Sequence, residues 1–268
     1  LFLLLISSTS SFFNPSIKVT SGREITLNGN GPPVVFSSGL FGTMPTQFYS
    51  SFINHMKKNI TIITFNDLGV VNKKDFEEVV DALGVTEAGF VSHSTFSPDV
   101  LSSEYLSGAV LCDPIILPKF NFFGNELYIN NKASTLAIKA EKTYNSDFSV
   151  PNFQIPMMTN DYSEETYQDV GHIDILDDFW ANIGASTNFW EGPSSNEKVS
   201  FKNWDKQQVN KQLLDVKKIR DTYRKFIASK VTTFFINDDD KKVENSIEVI
   251  VNPALSKSTP IDYYPENP

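Results

Sequence analysis

Short apolar runs at 34–36, 60–65, 89–91, 109–112 and 135–138 each give way to small or polar residues. Each is too short for a helix and rich in Val, Ile, Leu, Phe or Ala, so each reads as a buried strand. Between the first runs lie stretches with apolar positions at helical spacing. Residues 46–58 place Phe48, Tyr49, Phe52, Ile53 and Met56 on one face, and residues 73–83 do the same with Phe76, Val79, Val80 and Leu83 before Gly84. Strands alternating with helices predict an α/β fold with a mostly parallel sheet covered on both faces. Ligands of such sheets bind beyond the C-terminal ends of the strands. Ser38, Ser94 and Asp113 follow such runs, and His172 follows a weaker sixth run at 165–167, so the four are expected to converge on one sheet edge.

The rest of the chain fits around that sheet. Residues 16–29 alternate weakly and contain Gly22 and Gly29, which suits an edge hairpin. Val209, Leu213, Leu214, Val216, Ile219, Tyr223, Phe226 and Ile227 predict a long amphipathic helix over 206–228 with Lys and Arg on its outer face. Asp238-Asp239-Asp240-Lys241-Lys242 reads as a solvated turn, and the last 20 residues, with Pro253, Pro260, Pro265 and Pro268, as an extended tail. Leu1-Phe2-Leu3-Leu4-Leu5-Ile6 followed by a Ser-rich stretch reads as the remnant of a targeting segment over 1–15, leaving 16–268 as a single α/β domain. Its Phe12-Phe13 end resembles the junction of plastid-targeting presequences, which implies a plastid location.

The chemistry has few residues to choose from. There are three histidines, His55, His93 and His172, and one cysteine, Cys112, so an intrachain disulfide is excluded. The net charge is −9 with no basic run, which speaks against nucleic acid as a partner. A serine hydrolase needs its nucleophile on a tight strand-to-helix turn, with the next backbone N–H facing the reacting carbonyl. Ser92-His93-Ser94-Thr95-Phe96 follows a strand, and Pro98 suits the first turn of a helix. The motif usually has Gly two before and two after the serine; here Ser92 and Phe96 stand there. A side chain at 96 is expected either to push the following turn outward or to fill the acyl pocket.

His172, between Gly171 and a new helix, is the candidate base; read plainly, it is also a surface histidine with Asp174 or Asp177 for charge balance. Asp113 ends a buried strand before Pro114 and is the candidate acid. Glu141 competes, because it ends the next strand. Oxyanion donors are expected from the N–H of Thr95 and of Leu40 or Phe41, in the loop after the first buried strand. Oxyanion loop, serine, acid and histidine in that order is the α/β-hydrolase order.

At these residues the chain resembles the chlorophyllase family of α/β hydrolases. Phe36-Ser37-Ser38-Gly39-Leu40-Phe41, then Phe48-Tyr49-Ser50 and Asn54-His55, is similar to the family's His-Gly-Phe loop, Tyr-Ser pair and His-containing helix. Ser92-His93-Ser94-Thr95-Phe96-Ser97 keeps only the His-Ser of Gly-His-Ser-x-Gly-Gly. Cys112-Asp113-Pro114-Ile115-Ile116 resembles the acid-bearing strand end. Residues 171–178 match Gly-His-x-Asp-x-Leu-Asp-Asp closely, and the helix at 220–235 and the Pro-rich tail look like the family's C-terminal end. The family's oxyanion His is replaced by Ser38, both elbow glycines are lost, and so little chain separates Ser94 from Ala109 that the helix after the nucleophile must be cut down.

The resemblance implies a serine carboxylesterase on a bulky apolar ester, with Ser94, Asp113 and His172 as triad and no cofactor for catalysis. Two other readings stay open: a catalytically silent relative that binds chlorophyll or another apolar pigment, and a structural subunit attached peripherally to a thylakoid pigment–protein complex. The altered elbow favours these two, whereas retention of all three triad residue types favours the hydrolase.

Overall fold

The computed structural model describes residues 16–115, 133–141, 161–186 and 206–236. The predicted edge hairpin is β1 (Ser16–Lys18) and β2 (Glu24–Asn28), antiparallel to each other. The predicted buried strands follow as β3 (Pro33–Ser37), β4 (Thr61–Phe65), β5 (Ala88–Thr95), β6 (Leu106–Ile115) and β7 (Ser134–Ala140), and the weaker sixth run lies in the mostly half-buried β8 (Tyr162–Tyr167). All eight form one sheet in the order β1-β2-β4-β3-β5-β6-β7-β8. β2 runs antiparallel to β4, and every pairing from β4 through β8 is parallel. The chain steps from β3 to β4 on one side and then to β5 on the other. The switch point, where a doubly wound sheet opens a crevice, thus lies between the C-terminal ends of β3 and β5.

Among the described residues five helices accompany the sheet: α1 (Gly39–Gly42), α2 (Ser50–Met56), α3 (Lys73–Leu83), α4 (Asp178–Ser186) and α5 (Lys206–Ile236). Strand residues alternate between two cores, as the period of two requires. Val34, Phe36, Val91, Val110 and Ile138 pack with Phe52 and Met56 of α2 and Tyr223, Ile227 and Val231 of α5. Val35, Ile63, Phe90 and Leu111 pack on the other face with Phe76, Val79 and Val80 of α3. Asn72 and Asp75 cap α3 reciprocally, and Gly84 ends it at φ 63°.

Several boundaries differ from the sequence-based expectation. The stretch at 46–58 is a 3₁₀ turn (Thr46–Tyr49) followed by α2, and β5 and β6 run on through the polar residues expected to end them. α5 continues past 228 to Ile236 because Phe234 and Phe235 have strand glycines to sit on: a Cβ on Gly108 would lie 2.6 Å from the Phe234 ring, and one on Gly89 2.4 Å from the Phe235 ring. Leu214, placed on the buried face by its spacing, is exposed, while Arg220 and Arg224, assigned to the outer face, are buried. They turn inward because the segment after β8 supplies carboxylates and a carbonyl to receive them, as shown below. No helix of the described residues is long and apolar enough to cross a membrane. The 1–15 segment, the 238–242 turn and the C-terminal tail lie outside the described residues.

Candidate active site

The sheet brings Ser94, Asp113 and His172 to one edge, all three nearly inaccessible at 2%, 5% and 4% exposure. Along β5 and β6 the register pairs His93 with Cys112 and then Thr95 with Ile115. β5 advances two residues where β6 advances three, so Ser94 and Asp113 sit inside an irregularity of the ladder. Both have left-handed backbone, φ 63° for Ser94 and 45° for Asp113. Bulges of this kind bend a strand and re-aim side chains, and they recur beside active sites. Of the four non-glycine residues with positive φ among the described residues, a third is Leu40 (φ 49°) in the expected oxyanion loop, and the fourth is Asp169 (φ 61°), just upstream of His172. Non-glycine residues in this region store strain that the surrounding structure must hold.

The loss of both elbow glycines is thus compatible with a strained turn at the serine. Ser92 is fully buried at the first of those positions; its Oγ has no hydrogen-bond partner, and neither has that of its cross-strand neighbour Ser37. At 3% exposure Phe96 lies in the core on the α3 side, with Val35, Phe65, Val71, Val100 and Leu101. The expected truncation of the following helix is seen as a 3₁₀ turn, Pro98–Ser102, with proline in its first turn. Thr95 carries β5 onward in register with Ile115.

Asp113 faces His172, with Oδ2 2.5 Å from Nδ1, while its Oδ1 accepts the Ala140 N–H at 3.1 Å. A carboxylate can only accept, so Nδ1 carries the proton and the other nitrogen of His172, Nε2, is left as the basic one. Glu141 is employed elsewhere, its Oε2 accepting the Asp169 N–H at 2.8 Å. His172 is not the surface histidine that a plain reading allowed, and neither Asp174 nor Asp177 serves as its counter-charge. Asp174 accepts the Gly171 N–H at 2.7 Å and pairs with buried Arg220 at 2.8 Å. Asp177 receives the Ser51 N–H at the start of α2, at 2.8 Å. Asp178 pairs with Arg224, whose other nitrogen donates to the Leu176 carbonyl at 2.6 Å. The acidic residues of 171–178 therefore clamp the base-bearing segment to α2 and α5. Spacing alone did not reveal these roles, because the partners lie more than 40 residues away.

On the other side of the switch point, Gly39 packs against the serine: a Cβ there would lie 3.2 Å from Ser94 Cβ. Gly39 donates its N–H to the Tyr49 hydroxyl at 3.0 Å. Leu40 follows in the first turn of α1, where helix geometry offers its N–H no acceptor. Ser38, standing where the resemblance puts a histidine, lines a cleft of about 170 Å³ with Phe36, Met44, Phe65, Leu68 and Val71. Tyr49 and His93 were not assigned functions from the sequence, although both are buried at this edge; the one signal was their place in the retained Tyr-Ser and His-Ser pairs. His55 lies away from the site, 3.6 Å from Asp221 of α5. Burial, and then the neighbouring Asp113 charge, push the Cys112 thiol far above its ordinary range, which keeps it protonated.

This fold, a mostly parallel sheet flanked by helices with a strained serine near the end of β5 and a histidine after β8, is of the α/β-hydrolase type. No protein-family model matches the chain, and no curated protein matches it. Among solved structures it is similar to naproxen esterase (carboxylesterase NP) from Bacillus subtilis, at 11% identity and TM-score 0.44 over 66% of this chain and 91% of that one. It is also similar to carboxylesterase CesB from Bacillus subtilis, at 11% identity and TM-score 0.46 over 66% and 91%. An α/β fold family hydrolase from Bacillus anthracis str. Sterne is similar at 13% identity and TM-score 0.42 over 65% and 99%.

Proposed function

We propose that the protein is a serine ester hydrolase with Ser94 as nucleophile, His172 as general base and acid, and Asp113 as the residue that orients and charge-balances the imidazole. The observation that carries this reading is the joint geometry of Ser94 and Asp113, two strained residues in one ladder irregularity, with His172 Nδ1 held on Asp113. In the reaction the Ser94 Oγ attacks the ester carbonyl and His172 Nε2 takes its proton. The carbonyl becomes an oxyanion, for which the Leu40 N–H is the donor at hand. The imidazolium passes its proton to the departing alcohol, leaving an acyl-serine, and a water activated by His172 then releases the acid and restores the enzyme.

The finer reading, a chlorophyllase-like enzyme acting on a bulky apolar ester in a plastid, is supported by the match over 171–178. The cleft beside Ser38 bears on it through size. At about 170 Å³, and with Gln47, Asn66 and Asp67 in its wall, the cleft has room for only a small group of an ester. A bulkier apolar part has to lie outside it. The silent pigment-binding relative and the thylakoid scaffold remain the competing readings, supported by the altered elbow sequence. Labelling of the intact protein with a fluorophosphonate decides between them. Labelling that Ser94→Ala abolishes supports the hydrolase. A wild-type protein that takes no label supports the silent reading.

A further inference from the structure

We infer that His93 is a positioning residue that ties the oxyanion loop to the backbone of His172, so that the two halves of the site keep their spacing through the reaction. The kinetic part of this inference rests on the ester-hydrolase reading; the geometric part does not.

His93 is fully buried beside the serine, and both its ring nitrogens are engaged. Nε2 lies 2.9 Å from the backbone oxygen of His172, and Nδ1 lies 2.8 Å from the Tyr49 hydroxyl. A carbonyl oxygen only accepts, so Nε2 carries a hydrogen. Burial, reinforced by the adjacent His172, pushes the His93 pKa well below the ordinary imidazole range, although the bond to the His172 carbonyl opposes this. The ring is therefore neutral with one N–H, and Nδ1 is an acceptor. Tyr49 spends its single hydrogen there, and its oxygen accepts the Gly39 N–H at 3.0 Å. The Met44 sulfur, 3.3 Å from the same hydroxyl, is left as a packing contact. The direction of every bond is then determined: Gly39 N–H to Tyr49 O–H to His93 Nδ1, and His93 Nε2–H to the His172 carbonyl.

This line of bonds joins the loop after β3, the end of β5 and the His172 segment. Gly39 precedes Leu40, the proposed oxyanion donor, and packs on Ser94 Cβ. The His172 backbone is held from β5 while its ring is held from β6 through Asp113. The His93 ring also lies 4.6 Å from the His172 ring, tilted by 30°. A neutral neighbour at that distance tolerates an imidazolium in the reaction, whereas a charged one would oppose it. A histidine serving only to satisfy the core needs no such partners, because an aromatic hydrocarbon side chain fills the same space without two polar atoms to place.

The test uses the whole chain and p-nitrophenyl acetate, with thermal midpoints to confirm folding. His93→Phe keeps the ring and loses both bonds; kcat is expected to fall about 10²-fold with KM within about twofold, the scale on which an ångström of misplacement acts. His93→Gln, whose amide nitrogen reaches the His172 carbonyl, is expected to recover about tenfold of that loss. Tyr49→Phe is expected to lower kcat about tenfold with His93 intact. In the wild type, ¹⁵N spectra at neutral pH are expected to show His93 protonated on Nε2 alone. A folded His93→Phe with wild-type kcat overturns the inference, and so does a wild-type proton on Nδ1. Should His93→Phe fail to fold, Tyr49→Phe and the spectra decide. If the wild type shows no Ser94-dependent hydrolysis, the ester-hydrolase reading fails separately, and the spectra alone decide the tie between β5 and His172.

Discussion

His172 Nδ1 lies 2.5 Å from Asp113 Oδ2, and the same carboxylate holds the Ala140 N–H through its other oxygen. Asp113 at the end of β6, rather than Glu141 at the end of β7, thus orients the imidazole. Asp113→Asn puts an amide donor or a weaker acceptor opposite Nδ1 and favours the wrong tautomer. It is expected to lower kcat by roughly 10⁴-fold, the cost of that error in a serine-histidine-aspartate site. Glu141→Gln loses only the charge on a bond to the Asp169 N–H and is expected to leave kcat within about tenfold of wild type, since hydrogen bonds of this kind contribute about 1–3 kcal/mol. Steady-state kinetics on the two variants check the assignment; the reverse ranking would overturn it.

The base-bearing segment depends on a buried ion pair. Arg220 and Asp174 are 1% and 0% exposed, and Asp174 also holds the Gly171 N–H. Removing one partner leaves the other charge buried, which costs about 3–5 kcal/mol. Arg220→Met is therefore expected to destabilise the fold by about that amount in urea denaturation. The double variant Arg220→Met with Asp174→Asn is expected to lose less than the sum of the two single losses, because the stranded charge is gone. An additive result would show that the pair is not coupled.

How much of this could be read from the sequence follows from how local each cause is. The strands at 34–36, 60–65 and 109–112 declare themselves by their own composition, and their alternation with α2 and α3 predicts the parallel sheet. The convergence of Ser94, Asp113 and His172 follows from chain direction in that sheet. The length of β5 and β6 does not, because the polar residues Ser92, His93 and Asp113 are held there by partners that no local pattern names: Ser37 on β3 and Leu111 on β6, Tyr49 in the 3₁₀ turn, and Ala140 on β7 with His172. For the same reason Arg220 and Arg224 read as solvent-facing. Their partners, Asp174 and Asp178, are 46 residues away.

Phe96 shows a similar dependence, since its cluster includes Val35, Phe65 and Val71 from earlier in the chain. In the core with Val100 and Leu101, it fills space on the α3 side where the turn after β5 is too short to supply a helix. Phe96→Ala is accordingly expected to act on stability, by about 3–5 kcal/mol for an aromatic ring removed from a packed core. Kinetics of the fraction that stays folded are expected to be near wild type. A large loss of kcat at unchanged stability would return Phe96 to the site.

The glycines under α5 provide a test at the opposite end of the sheet. Gly89 and Gly108 are cross-strand partners on β5 and β6, and each lies beneath a phenylalanine of the last helical turn. A Val at 89 places atoms where the Phe235 ring stands. The ring or the helix end must move, and overpacking of this kind costs about 1–3 kcal/mol. Gly89→Val combined with Phe235→Ala is expected to recover part of that loss, since the added methyls then occupy the vacated space. Chemical denaturation of the single and double variants measures it, and no recovery in the pair would mean that the glycine serves the strand itself.

The His93 environment fixes the sign of a pH effect on stability. The folded-state pKa is depressed by burial and by His172, whereas the unfolded chain has an ordinary histidine near about 6.5. Above that value both states are neutral at this residue, and it adds no pH dependence. As the pH falls below about 6.5 the unfolded chain binds a proton that the folded protein refuses, and stability declines toward the depressed folded pKa. The limit is about 1.4 kcal/mol for each unit of pH. Replacement by Gln removes the titrating group. The wild type is therefore expected to lose stability more steeply than His93→Gln between pH 6.5 and 5, with the two curves parallel between pH 7 and 8. Thermal midpoints across that range measure the difference. Parallel curves throughout would mean that His93 takes up its proton inside the folded protein, and the neutral ring from which the direction of the Tyr49 bond follows would be wrong.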